Sequence, residues 1–177
     1  MIKEKLNRMN TPNNEFIIEF YRERKVLSFD KYSMYSCHID FYNNINQKIL
    51  SLICSESELF NSIQEINAFI TNFYEIYDTI VHFGNNENMV SHFIHIGIKY
   101  PYNNSPIEDD DTIVISIYQT NILNKNNLRL FFEADSLFLE NMMYNMFQLL
   151  EDLPYLDKII NTSVEDYINS FYYGYGE

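Results

Sequence analysis

Residues 11–24 read Thr11-Pro12-Asn13-Asn14-Glu15-Phe16-Ile17-Ile18-Glu19-Phe20-Tyr21-Arg22-Glu23-Arg24, and how they are read sets how the chain opens. As a strand, Phe16, Ile18 and Phe20 alternate with Glu15, Ile17 and Glu19. As a helix, Phe16, Ile17, Phe20 and Tyr21 share one face. Thr11 followed by Pro12, with Glu15 in the first turn, matches an N-cap, a proline at the first helical position and an acid near the positive end of the dipole. This pattern predicts a helix through about Arg24. Residues 1–10, ahead of it, are polar and are expected to fray.

Downstream the period shortens to two. Val26 to Phe29 and Met34 to Tyr42 read as strand, with Tyr35, Cys37, Ile39 and Phe41 on one face and Ser36, His38 and Asp40 on the other. Asn43-Asn44 supplies a turn, and Lys48 to Cys54 pairs back as a hairpin. Ser55 and Glu58 form a capping box ahead of a 4,3 stripe of Leu59, Ile63, Ile66, Ile70, Phe73, Tyr77 and Ile80, with Gly84 at the C-cap. That stripe predicts a long core-facing helix rather than a coiled-coil seam. Three strands follow, Ser91 to Lys99, Thr112 to Thr120 and Leu128 to Glu133, as a meander with Leu128, Leu130 and Phe132 on the apolar face of the last. Ser136 caps a helix from Leu137 to about Glu151, and Thr162 to Glu165 opens another toward Phe171. No repeat of 20 to 50 residues is apparent. The sequence therefore predicts a single α+β domain over residues 1–177, an antiparallel sheet of about five strands covered by helices, in the order α-β-β-α-β-β-β-α-α.

The 177 residues hold 12 Lys and Arg against 25 Asp and Glu, a formal net charge of −13, while 46% of the chain is hydrophobic. So much apolar surface excludes a disordered acidic tail. Residues 1 to 88 hold 8 basic and 12 acidic residues, net −4, and residues 89 to 177 hold 4 basic and 13 acidic, net −9. No Lys or Arg stands between Lys48 and Lys99, which argues against direct nucleic-acid binding. Asn and Ile occur 23 times each, as A/T-rich codons would write, yet Lys has not risen with them, so the acidity is not codon drift. Cys37 and Cys54 read as buried thiols. With no apolar leader after the charged first residues and no long apolar run, the expectation is a cytoplasmic protein that does not enter membranes.

The chemical motifs are sparse. His92 and His95 lie three apart on a strand, where their rings diverge, and no cysteine is near enough in sequence to complete a zinc set. The run Glu108-Asp109-Asp110-Asp111 lacks the spacing of a calcium loop. Gly84, Gly97, Gly174 and Gly176 form no phosphate-binding pattern, and no nucleophile elbow is present. The expectation is therefore no cofactor, no metal and no enzyme activity. What remains is a surface for a cationic protein: the acidic run 108–111 flanked by Tyr102 and Tyr118, together with Glu133 and Asp135 where a strand ends, combining negative field with amphipathic contact residues.

In size, acidity, Asn/Ile-rich composition and α+β order, the whole chain resembles the small acidic cytoplasmic immunity proteins of bacterial contact-dependent and polymorphic toxin systems. The resemblance rests on no diagnostic motif. It implies stoichiometric inhibition of a cognate toxin domain, a nuclease for example, by covering its active site or an adjacent surface with Tyr102, Glu108, Asp109, Asp110, Asp111, Tyr118, Glu133 and Asp135. The alternatives are an acidic nucleic-acid mimic that inhibits a DNA-binding protein, and a non-catalytic adaptor domain.

Overall fold

The described residues form ten elements: β1 (Ile2–Asn10), β2 (Phe16–Val26), β3 (Ser33–Asn43), β4 (Lys48–Cys54), α1 (Glu56–Thr71), β5 (Asp78–Phe83), β6 (Ser91–Ile98), β7 (Ile113–Thr120), β8 (Asn126–Ala134) and α2 (Ser136–Gln148). The computed structural model describes residues 2–26, 33–71, 78–83, 91–99, 112–120 and 126–151. The strands form two antiparallel four-stranded sheets, ordered β1-β2-β3-β4 and β5-β6-β7-β8. The chain therefore makes the same pass twice, four meandering strands and then a helix.

This corrects the expectation of one five-stranded sheet with the order α-β-β-α-β-β-β-α-α. The first error lies at residues 11–24. Thr11 does cap, but it caps a hairpin turn: its hydroxyl accepts from Phe16 N at 3.0 Å, and Thr11 N donates to Phe16 O at 3.0 Å. Asn14 takes φ 55° and its N–H reaches Thr11 O at 2.9 Å. Pro suits the second position of such a turn as well as it suits a helix start, and Asn tolerates the left-handed region, so the same residues serve both structures. Strand β2 follows, and residues 2–10, expected to fray, pair with it as β1. The second error is the length of the helix after Ser55. Its start is as read, with Glu58 N donating to Ser55 Oγ at 3.3 Å, but α1 ends at Thr71 and Ile80 belongs to β5. The proposed cap at Gly84 and the last helix from Thr162 to Phe171 lie outside the described residues.

Alternation on each strand gives every sheet one face for the core. Ile18 and Phe20 on β2, Cys37, Ile39 and Phe41 on β3, and Leu50, Leu52 and Cys54 on β4 are buried, as are Val81, Phe83, Ile94, Ile96, Ile113, Ile115, Ile117, Leu130 and Phe132 on the second sheet. With Leu59, Ile66 and Phe69 of α1 and Leu139, Met142 and Met146 of α2 they form one cluster. Each such side chain contributes roughly 1.5–3 kcal/mol by leaving water. Phe16 and Phe132 touch across the sheets with ring centroids 6.3 Å apart. Asp135 caps α2, its Oδ1 accepting from Phe138 N at 2.8 Å, and Ser136 is the first helical residue.

Charges also stand at the end of the core face, where Glu4 is the register partner of Arg22 and pairs with both Arg22 and Arg24. Arg22 is buried at the end of the β2 stripe, donates Nη1 to Leu149 O at 2.9 Å, pairs Nη2 with Glu4 at 2.9 Å and lies 4.6 Å over the Tyr35 ring. A guanidinium at the C-terminal end of α2 meets the negative end of its dipole and occupies a carbonyl the helix leaves open.

Candidate protein-interaction surface

The outer faces of the two sheets, opposite the core, differ in chemistry. On the second sheet, register aligns the outward residues in rows across all four strands. One row is His82, Phe93, Tyr118 and Leu128, the next Ile80, His95, Ser116 and Phe131, and the third Asp78, Gly97, Val114 and Glu133. Phe93 and Tyr118 stack with centroids 4.9 Å apart, and His82 adjoins Phe93 at 6.1 Å. Ile80, Leu128 and Phe131 are 48%, 50% and 59% exposed. An apolar, aromatic strip thus lies open to water, the kind of patch that marks a binding surface more than a scattering of lone hydrophobics does.

A bulge enlarges it. Between Ile117↔Leu130 and Tyr118↔Leu128 the β8 strand advances two residues while β7 advances one, so Arg129 is inserted and Leu128 turns from the core face to the outer one. At the far side His95 lies over Gly97, where a Cβ would stand 3.0 Å from the imidazole Cε1, and its Nε2 meets Asp78 at 3.2 Å. Gly97 is what lets that ring lie flat on the sheet.

Beside this face runs a groove of about 660 Å³ along the edge of β8, lined on one side by the six consecutive residues Leu128 to Glu133 and on the other by Asn13, Glu15, Phe16 and Ile49. Glu133 at its end pairs with Lys99, and Arg129 leans across to Ile49 O at 3.5 Å.

The first sheet's outer face carries mainly charges that pair with one another, with Ile53, 41% exposed, beside His38. Glu19 takes Arg8 Nη2 at 2.7 Å and Arg8 Nε at 2.9 Å, with Lys3 at 3.9 Å. Lys3 sits 4.3 Å over the Tyr21 ring, which stacks on His38 at 4.6 Å, and His38 Nε2 is 3.0 Å from both Glu23 Oε2 and Ser36 Oγ. Asp40, wholly buried, accepts from Ser51 Oγ and has Lys48 Nζ 3.3 Å from Oδ2, an ion pair out of hydrogen-bond alignment. Burial, opposed by Glu23 and Asp40, lowers the His38 pKa. Burial, then hydrogen bonding to Asp40, holds the Tyr21 hydroxyl well above its ordinary range. Burial alone would depress the Lys48 ammonium, but Asp40 more than compensates and raises it. Desolvation also pushes the Cys37 thiol up to about 12 and the Cys54 thiol well above its usual value. Cys37 and Cys54 are register partners and are free thiols, as read from the sequence.

The residues singled out in the sequence are divided among different roles. Tyr118 lies in the aromatic row and Glu133 at the end of the groove, so the structure places both beside the exposed face. Asp135 is spent on capping α2. Tyr102, Glu108, Asp109, Asp110 and Asp111 lie outside the described residues. Ile80, Phe93 and Phe131 were missed: Ile80 counted as a helix stripe position, while Phe93 and Phe131 sit next to the core residues Ile94 and Leu130. The apolar runs His92-Phe93-Ile94 and Leu130-Phe131-Phe132, which break strict alternation, were the available signal. Among the described residues no group of three His, Cys, Asp or Glu side chains could hold a metal ion, and no helix is long and apolar enough to cross a membrane.

No protein-family model matches the chain, and no curated protein matches it in sequence. Among solved structures the chain is similar to the plant transcriptional regulator PBF-2, at 12% identity and a TM-score of 0.41, over 94% of this chain and 95% of that one.

Proposed function

We propose that this protein works by binding, and that the outer face of the second sheet is its contact surface for a cationic protein. The observation that carries the reading is the strip in which exposed Ile80, Leu128 and Phe131 flank the half-buried, stacked rings of Phe93 and Tyr118, on a molecule of net charge −13. Aromatic anchors supply contact energy at the centre of an interface, and the surrounding negative field speeds encounter with a positive partner. Charge favours a protein over a nucleic acid on the same rings: Lys99 is engaged by Glu133, and phosphates would approach against the net charge. Stoichiometric capture of a toxic enzyme domain in the cytoplasm, as an immunity protein performs it, is the role that suits such a surface.

The test is titration against the polypeptide encoded beside this chain, in parallel with protection of sensitive cells. The expected result is nanomolar affinity that falls steeply with salt, and at least a tenfold loss on Phe131→Glu or Tyr118→Ala. An affinity untouched by both substitutions would overturn the assignment of this face.

A further inference from the structure

We propose that the partner contributes an extended segment that joins the second sheet as a fifth strand along the edge of β8. The proposal rests on the reading of this sheet as the contact surface and specifies how the contact is made. A pocket reached only by side chains of one strand face is lined by alternate residues; the groove beside β8 is lined by all six residues from Leu128 to Glu133, so the main chain itself borders it. Among the described residues β8 pairs with β7 alone, which leaves its other side with main-chain donors and acceptors directed into the groove. Native edges of this kind are usually blunted by proline, charge, a bulge or cover; here the bulge and charge of Arg129 stand at one end and Glu133 at the other, while Leu130-Phe131-Phe132 between them carries neither proline nor charge.

Length and chemistry define the occupant. Six strand residues span about 20 Å, enough to pair with an added segment of five or six residues. Along that segment one set of side chains would extend the apolar outer face beside Phe131, and the other would meet Phe16 and Ile49 on the opposite wall. Glu15 and Glu133, the latter paired with Lys99, are carboxylates in that lining, and Arg129 reaches across it to Ile49 O at 3.5 Å, a long contact that an entering segment would displace. Together with the net charge of −13, this selects a segment in which apolar residues alternate with Lys or Arg, belonging to a cationic protein. A second copy of this chain would bring its own −13 to the contact and is disfavoured.

The experiment uses the full chain and an end-blocked octapeptide of alternating Val and Lys, followed by fluorescence anisotropy and by amide hydrogen exchange. Two further peptides carry N-methyl groups on the odd or on the even amides, because an added strand donates only alternate N–H groups to its neighbour. The expected result is binding that protects amides within 128–133, and at least tenfold weaker binding for one methylated peptide but not the other. Equal binding by all three peptides, or protection elsewhere, would overturn edge pairing. So would a dimer that protects β8 in the absence of peptide, or tighter binding of a twelve-residue thymidine oligonucleotide. If edge pairing fails while Phe131→Glu still weakens the cationic protein, the contact surface stands; if that substitution is also silent, the surface reading fails with it.

Discussion

Two sheets of one topology turn opposite kinds of chemistry outward. On the first, Arg8, Lys3, Glu19, Tyr21, His38, Asp40, Ser51 and Lys48 answer one another so completely that Glu19 is 4% exposed and Asp40 is fully buried. On the second, Ile80, Leu128 and Phe131 are left 48% to 59% in water. The comparison teaches that the inward stripe specifies the fold in both passes, whereas the outward stripe is free to be spent differently. A face whose charges are paired with one another has little to offer a partner. A face of unsatisfied apolar area gains by being covered.

The largest expected effect comes from breaking the closed face. Asp40→Ala removes the acceptor of Ser51 and the counter-ion of Lys48 from a fully buried position, and should cost about 3 kcal/mol in urea unfolding. A cost below about 1 kcal/mol would mean the network is decorative. Next in size is a pH effect. Burial lowers the pKa of His38 and of His92, so each takes up its proton more readily when unfolded. Their contribution is therefore complete above the unfolded value of about 6.5 and is lost as pH falls toward the lowered folded values, at no more than about 1.4 kcal/mol per pH unit for each. His38→Phe, which keeps an aromatic ring against Tyr21, should flatten the stability profile between pH 7 and 5; an unchanged slope would remove this histidine from the account.

Smaller still is the expected response of the open face. Phe131→Ser should leave stability within about 0.5 kcal/mol of the parent, because the ring it removes is already mostly in water. A loss of 2 kcal/mol would show that the strip is structural and would erase the contrast between the sheets. Gly97→Ala sharpens the comparison at one residue: the added methyl meets His95 Cε1, so the His95 ring signals should shift in NMR spectra while the core signals of Ile94 and Ile96 stay in place.

Much of this was legible in the sequence where one period dominated. Strands β3, β4, β6, β7 and β8 were read near their true bounds because buried and exposed residues alternate along them, and α1 was found at its start because Ser55 caps it. The failures have physical causes. Thr11, Pro12 and Asn14 satisfy a turn and a helix start equally, and only the partners available in space, β1 and β3, decide for the strand. The 4,3 stripe ran on past Thr71 because Ile80, an outward strand residue, happened to fall in phase with it. Of the residues singled out in the sequence, Tyr118 and Glu133 lie on the outer face of the second sheet. Leu128, expected on the apolar face with Leu130 and Phe132, lies on the outer face instead, since a bulge at Arg129 reverses its side and no local sequence rule announces that insertion.

Arg22 also sets an order of events. Its acceptor, Leu149 O, lies 127 positions later. While the ribosome is still making the second pass, the first sheet holds a guanidinium aimed at a helix end that does not yet exist. The strands of the early half precede α2 in synthesis, so this latch closes only once α2 has emerged.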